Sequence, residues 1–267
     1  MRCSTVLRRT HVALQELTFM SKRVAVVTGG IGGLGTEICK YLARSGRKVV
    51  AADLGSRAER VAEFKAEMAE FGDEVAFESL NVADFAACAD LIRKIEAEHG
   101  PIAILVNAAG ITRDTSLRKM TPEQWIDVLK VNLEGVFNMC RNVVDSMSTR
   151  GYGRIVNISS VNGQTGQFGQ TNYSAAKAGM HGFTMALARE VAKKGVTVNS
   201  VSPGYCRTAM VMAVPEDVRN QIIANIPVGR LGEPREIARV VDFLSADDSG
   251  FITGANIPVN GGYFMDF

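Results

Sequence analysis

No stretch of this 267-residue chain reaches the ~18 consecutive apolar residues that suggest a membrane span. Charge of either sign is scarcely in excess. The 30 basic and 28 acidic residues leave a formal charge of +2, which supplies no whole-chain footprint for nucleic acid. Cysteine is sparse and scattered. Cys3, Cys39, Cys88, Cys140 and Cys206 are odd in number and no two form a C-x-x-C, which fits a reducing, cytoplasmic setting better than a disulfide framework or a zinc site. What is present is ordinary: 46% hydrophobic and 22% charged residues, enough apolar material for a sizeable core. Disordered, collagen-like and disulfide-stapled classes are thereby excluded. The length fits a single α/β domain, since such folds often run past ~200 residues as one unit.

Residues 1–19 stand apart. They carry Arg2, Arg8 and Arg9 with no acid before Glu16, and lack the compact apolar core of a secretory signal. An organelle transit peptide and a translation start at Met20 are the two readings, and the second is preferred. Either way the segment is expected to be poorly ordered unless it docks, and 20–267 is expected to be one domain.

From Arg23 onward strand and helix patterns alternate. Val24–Val27 is a short β-branched run of the kind found in buried parallel strands, followed by glycines and a helical pattern through Ile38 and Leu42 that Gly46 stops. Strands follow over 48–52, 75–80, 102–106, 154–158, 196–201 and 256–259. Helices are expected over 56–71, 84–99, a long stretch after Thr121-Pro122, 172–194 and 234–245. The alternation predicts an α/β, Rossmann-type doubly wound parallel sheet of about seven strands with helices on both faces. The irregular stretch 205–233 reads as an insertion over the carboxyl edge of the sheet, a lid over substrate.

Thr28-Gly29-Gly30-Ile31-Gly32-Gly33-Leu34-Gly35 occupies the first strand–helix turn. A backbone free of Cβ can turn sharply there and approach a pyrophosphate, whose charge the helix N-terminus meets. Asp53 closes the second strand, eighteen positions after Gly35. A carboxylate at that point accepts hydrogen bonds from both ribose hydroxyls of NAD and repels a 2′-phosphate. Arg57 and Arg60 lie just beyond and would favour a phosphate. Tyr173 and Lys177 are four residues apart and so share a helix face. A phenol has a pKa near ~10, and a neighbouring ammonium is expected to lower it.

The T-G-x-x-x-G-x-G spacing, the Tyr-x-x-x-Lys pair and Ser160 thirteen residues upstream of Tyr173 resemble the short-chain dehydrogenase/reductase family over residues 22–262. The resemblance implies an oxidoreductase that moves hydride to or from a nicotinamide cofactor. It marks Ser160, not Ser159, as the hydroxyl that holds a substrate carbonyl, Tyr173 as the acid–base group and Lys177 as its assistant; Tyr173 and Lys177 would also contact the cofactor, Lys177 at the nicotinamide ribose. Asn132 would hold a water in the proton relay. Gly29, Gly32, Gly33, Leu34, Gly35 and Asp53 would bind cofactor, with Asn81-Val82 beside the adenine. Asn107-Ala108-Ala109-Gly110, Pro203-Gly204 and Thr208 would complete that site. Gly32 stands where NADP-dependent members often carry a basic residue, so NADH is favoured, with NADPH the alternative. Cys206 and His181 are read as bystanders.

Within the family, residues 163–174 and 181–188 are similar to the acetoacetyl-CoA reductases of polyhydroxyalkanoate (polyhydroxybutyrate) synthesis. That similarity implies a short acyl pocket lined by Gln167, Phe168, Gln170 and Tyr205, an (R)-3-hydroxyacyl-CoA product and a homotetramer. Known members of that group use NADPH, which sets the resemblance against Asp53. The rival readings are a 3-oxoacyl-carrier-protein reductase, a sugar or polyol dehydrogenase, and a dinucleotide-binding regulator without turnover. No metal, membrane or nucleic acid is implied.

Overall fold

The computed structural model describes residues 22–265, and the expectations for residues 1–19 fall outside the described residues. The strands are β1 (Val24–Thr28), β2 (Lys48–Asp53), β3 (Val75–Ser79), β4 (Ile102–Asn107), β5 (Gly153–Ile158), β6 (Val196–Pro203) and β7 (Asn256–Val259). All pair in parallel, in the order β3-β2-β1-β4-β5-β6-β7. The order reverses between β1 and β4. That is where a doubly wound sheet opens a crevice at its carboxyl edge.

The alternation of side chains along each strand divides the core into two. Val24 and Val26 of β1 face one layer, with Met139, Val143 and Met180. Ala25 and Val27 face the other, with Ile38, Leu42, Ile237 and Val241. Strands buried on both faces must be apolar throughout, which is why they read as continuous runs.

The helices that position the site are α1 (Gly33–Arg44), α2 (Ala58–Glu67), α3 (Phe85–His99), α4 (Pro122–Leu129), α5 (Gly135–Arg150), α6 (Asn162–Thr165) and α7 (Thr171–Val191). Thr121 begins α4 through a capping box with Gln124 and Pro122 in the first turn. The long helix expected after Thr121 is in fact α4 and α5 joined by a π turn at Lys130–Glu134. Nothing in the residue periodicity marks that turn, because one extra residue shifts the hydrogen-bond register without breaking the apolar face. The helix expected over 56–71 is shorter. It ends at Glu67 and gives way to a 3-10 stretch whose Gly72 has φ 54°.

The stretch 205–233 holds two short helices, α8 (Ala209–Met212) and α9 (Glu216–Ala224), which the sequence reading left irregular. The segment is closed at its root. Gly232 N–H donates to the Tyr205 carbonyl at 2.9 Å, and Arg207 N–H donates to the Gly232 carbonyl at 2.8 Å. Helix α10 (Pro234–Leu244) follows. No helix among the described residues is long and apolar enough to cross a membrane.

Candidate active site

The glycine turn joins β1 to α1 at the crevice. Gly29 has φ +65°, and a Cβ on Gly35 would lie 2.1 Å from the Gly29 carbonyl oxygen, so neither position admits a side chain. Gly29 N-terminal to the turn also abuts the next loop: the Thr28 hydroxyl accepts N–H bonds from Ala108 and Ala109 at 3.2 and 3.3 Å. One hydroxyl thus ties the first glycine loop to the loop after β4. Sequence reasoning passed over Thr28 because its role depends on the β1–β4 pairing.

The carbonyls of the turn are turned inward. That of Gly29 accepts from Gly32 N–H at 3.0 Å. The free N–H groups of the first turn of α1, at Gly33, Leu34 and Gly35, are those any helix leaves without internal partners. This arrangement fits the diphosphate of a dinucleotide. A Cβ on Gly32 would meet only the Gly29 carbonyl, at 3.1 Å, whereas one on Gly33 would press on Thr208 at 3.0 Å. Thr208, at the start of the 205–233 segment, therefore rests on the glycine turn.

Asp53 lies at the carboxyl end of β2. It accepts the Leu54 N–H at 2.8 Å and pairs with half-exposed Arg57 at 3.6 Å. Asn81 and Val82 follow β3. Asn81 accepts the Ala83 N–H at 3.1 Å and so opens the turn into α3, while Val82 is buried against Gly135. Asn107 does not reach out into the crevice. Its amide donates to Asn157 Oδ1 at 2.9 Å, and Asn157 donates to Thr184 Oγ1 at 2.9 Å. These buried side chains tie the ends of β4 and β5 to α7 beneath the site. Ala108, Ala109 and Gly110 are the exposed or half-exposed part of that loop.

Beside the crevice, Ser159 and Ser160 separate cleanly. The Ser159 hydroxyl is buried and donates to the Lys177 carbonyl at 3.0 Å. Ser160 is only partly buried, accepts the Asn162 N–H at 3.1 Å, and acts on the Tyr173 phenol, whose pKa it lowers. Lys177 is 4% exposed; its ammonium donates to the Ile158 carbonyl at 2.7 Å and stands 5.6 Å from the centre of the Tyr173 ring. Burial pushes Lys177 down to about 8.

The expected lowering of the Tyr173 pKa is not what the structure has. Burial raises it, the Ser160 hydrogen bond works the other way, and the Asp114 carboxylate adds to the rise. The ammonium lies over the ring rather than at the hydroxyl, so desolvation of the phenolate prevails. A phenol held protonated suits a proton donor.

Asn132, in the π turn, is fully buried. Its side chain exchanges two hydrogen bonds with the Ile111 backbone, each 2.8 Å. The side chain is thereby tied to the loop after β4.

The expected acyl-pocket residues do not converge. The Gln170 amide donates to Asp114 at 2.8 Å and accepts from Asn162 at 2.8 Å, bracing two rim loops. Gln167 is exposed and Phe168 is 90% exposed, because the peptide carrying them turns outward and is tied at its base by Thr115 N–H to the Gly169 carbonyl, 2.8 Å. Tyr205 packs edge-on against Tyr263, with centroids 5.5 Å apart, and lines a cavity of about 140 Å³ with Gly204, Ile226, Val228 and Asn260. Pro203 ends β6 in full burial. Asp114 is the rim residue that sequence reasoning did not single out; it becomes visible only when Gln170 is folded against it.

Cys206 is buried and its thiol is pushed up to about 12, by burial first and then by Glu236 and Glu233, so it is no nucleophile. His181 hydrogen-bonds Ser202 at 3.2 Å and is held below its usual pKa by burial and by Lys177. Among the described residues no group of three His, Cys, Asp or Glu side chains could hold a metal ion.

A serine, a tyrosine and a buried lysine gathered beside a glycine turn at the sheet switch point are the geometry of a nicotinamide-dependent oxidoreductase. Residues 23–219 match the short chain dehydrogenase family. The chain belongs to that family. It is 57% identical to an acetoacetyl-CoA reductase of Allochromatium vinosum over 91% of this chain and 99% of that protein. It is 52% identical to an acetoacetyl-CoA reductase of Cupriavidus necator over 92% of this chain and all of that one. A 3-oxoacyl-[acyl-carrier-protein] reductase of Haemophilus influenzae is 43% identical, over 92% of this chain and all of that protein.

Proposed function

We propose that this short-chain dehydrogenase reduces the 3-oxo group of acetoacetyl-CoA, or of a similarly short 3-oxoacyl-CoA, to the (R)-3-hydroxyacyl thioester. The observation that carries the reading is the Ser160–Tyr173–Lys177 cluster beside the crevice, taken with the full-length similarity to acetoacetyl-CoA reductases. Ser160 and Tyr173 donate hydrogen bonds to the 3-oxo oxygen and polarise it. When bound, the reduced nicotinamide supplies hydride to the carbonyl carbon. Tyr173 gives its proton to the oxygen as negative charge develops there. Lys177 stabilises the phenolate left behind, and the Asn132 backbone holds the water that returns the proton.

The glycine turn with Thr208 holds the cofactor. NADH is the preferred form: the Asp53 carboxylate stands at the ribose end of the crevice, and Arg60 is engaged elsewhere, as described below. Arg57 remains half exposed beside Asp53, so NADPH is the second choice. Segment 205–233 is the lid, with Tyr205 at its root, and Gln167, Phe168 and Gln170 close on the acyl group when substrate binds. The enzyme acts in the cytoplasm as a homotetramer, supplying the (R)-3-hydroxyacyl-CoA that polyhydroxybutyrate synthesis consumes. The exposed stacked pair Phe85–Phe137 and exposed Met185 on the long helices are apolar surface for such contacts.

A carrier-protein thioester is the alternative substrate, favoured by exposed Arg113, Arg118 and Lys119 on the rim loop. A dinucleotide-binding regulator would bind cofactor without turnover. The test is loss of nicotinamide absorbance with acetoacetyl-CoA, run with NADH and with NADPH, and again with an acetoacetyl-carrier protein. Rapid turnover of the CoA thioester with NADH is expected. Turnover with the carrier thioester alone overturns the substrate, and turnover with NADPH alone overturns the cofactor preference. Absence of turnover with every pair favours the regulator.

A further inference from the structure

Arg60 lies on α2, behind the glycine turn rather than in the crevice. All of its guanidinium nitrogens are engaged. Nε donates to the Ile31 carbonyl at 2.7 Å and one terminal nitrogen donates to Thr36 Oγ1 at 2.9 Å. The other donates to Glu63 at 3.1 Å and Glu67 at 2.9 Å. Glu67 also accepts from Lys40 on α1 at 2.9 Å. Partial burial opposes ionisation of Glu67, but the hydrogen bonds from Lys40 and Arg60 hold its carboxyl below the usual range.

These contacts determine which way the turn faces. The Thr36 hydroxyl donates to the Gly30 carbonyl at 3.4 Å. Arg60 therefore holds the Ile31 carbonyl directly and the Gly30 carbonyl through Thr36. A peptide carbonyl rotated into the crevice would set an oxygen dipole against the cofactor's diphosphate, whereas an inward carbonyl leaves N–H groups on the concave side. Two acidic partners match the guanidinium charge, so it is not a free cation awaiting a phosphate. Its planar fork is suited to holding two acceptors at once, which a lysine cannot do.

We propose that Arg60 is a positioning residue of the dinucleotide site: it sets the affinity of the glycine turn for the cofactor diphosphate and does not select for a 2′-phosphate. The inference rests on the reading that a nicotinamide dinucleotide binds at this turn.

The experiment measures dissociation constants of NADH and NADPH by nucleotide fluorescence, and KM for each cofactor and for acetoacetyl-CoA, in the full-length wild type, Arg60→Ala and Arg60→Lys. Arg60→Ala is expected to weaken both nucleotides alike by about tenfold, the scale of a lost hydrogen bond from a charged donor. KM for acetoacetyl-CoA should stay within about twofold, since transition-state contacts are untouched. Arg60→Lys should recover part of the loss by reaching the Ile31 carbonyl alone. A loss confined to NADPH would show a 2′-phosphate contact and overturn the proposal. So would unchanged dissociation constants, or a rise in acetoacetyl-CoA KM that matches the rise for cofactor. A wild type that binds neither nucleotide would instead refute the cofactor reading itself, and the proposal with it.

Discussion

The Lys177 ammonium stands 5.6 Å from the centre of the Tyr173 ring and is anchored to the Ile158 carbonyl at 2.7 Å. The cation is thus placed near the face of the phenol, one helical turn along α7, while Ser160 acts to lower the phenol's pKa against the effect of burial. A phenol with a raised pKa and a buried cation, the proposed proton donor and its assistant, are set in one helix.

Loss of that donor should be visible at once. Tyr173→Phe removes the hydroxyl and keeps the ring, and turnover with acetoacetyl-CoA is expected to fall by at least ~100-fold, the scale of a lost general acid. NADH binding, measured by fluorescence, should change little. Near-wild-type turnover would remove Tyr173 from the mechanism.

If Lys177 assists Tyr173 as proposed, its ammonium sets a pH limit on the reaction. Its ammonium, held at about 8 by burial, is present below that pH and lost above it. Tyr173, whose pKa is raised, stays protonated over the same range. The kcat/KM for reduction is therefore expected to fall as pH rises through about 8. Lys177→Arg keeps its charge at any accessible pH, so its activity should be lower but flat through that region. Persistence of the same limb in the arginine variant would assign it to another group.

The proposed role of Asp53 in cofactor choice can be tested directly. Its carboxylate pairs with Arg57 at 3.6 Å, and Asp53→Ala would both remove the repulsion of a 2′-phosphate and free that guanidinium. The ratio of kcat/KM for NADPH over NADH is expected to rise by about tenfold or more, the scale of a lost hydrogen bond to a charged group. An unchanged ratio in steady-state assays would show that selection lies elsewhere.

Gly163 controls the seat of Lys177. A Cβ there would lie 2.8 Å from Lys177 Cβ and 2.9 Å from its carbonyl carbon, so α6 must move off α7 in Gly163→Ala. Overpacking of this kind costs about 1–3 kcal/mol of stability. A small displacement of a reacting group slows chemistry by as much as ~100-fold. Single-turnover measurements should show hydride transfer slowed by at least about tenfold with the NADH dissociation constant nearly unchanged. An unaltered rate would mean that the two helices part without carrying Lys177 along.

The sequence by itself determined the architecture and the chemistry. Short apolar runs such as Ile102–Val106 read as strands covered on both faces, and the helical intervals between them favour parallel pairing. The glycine spacing and the Tyr173–Lys177 interval are local geometry, written in residue order, while Ser160 was marked by the family resemblance. What the tertiary structure decided depends on groups distant in the chain. Asn107 was legible as a residue at the end of β4, but only its register against Asn157 shows it bracing the sheet instead of facing the crevice. Gln170 was expected to line the acyl pocket, but folding brings it to Asp114, 56 positions away. Arg60 looked like a cation near a phosphate. The packing of α2 against the glycine turn directs it to the Ile31 carbonyl, 29 positions away. A side chain's partners follow from which elements pack together, and residue spacing carries no record of that packing.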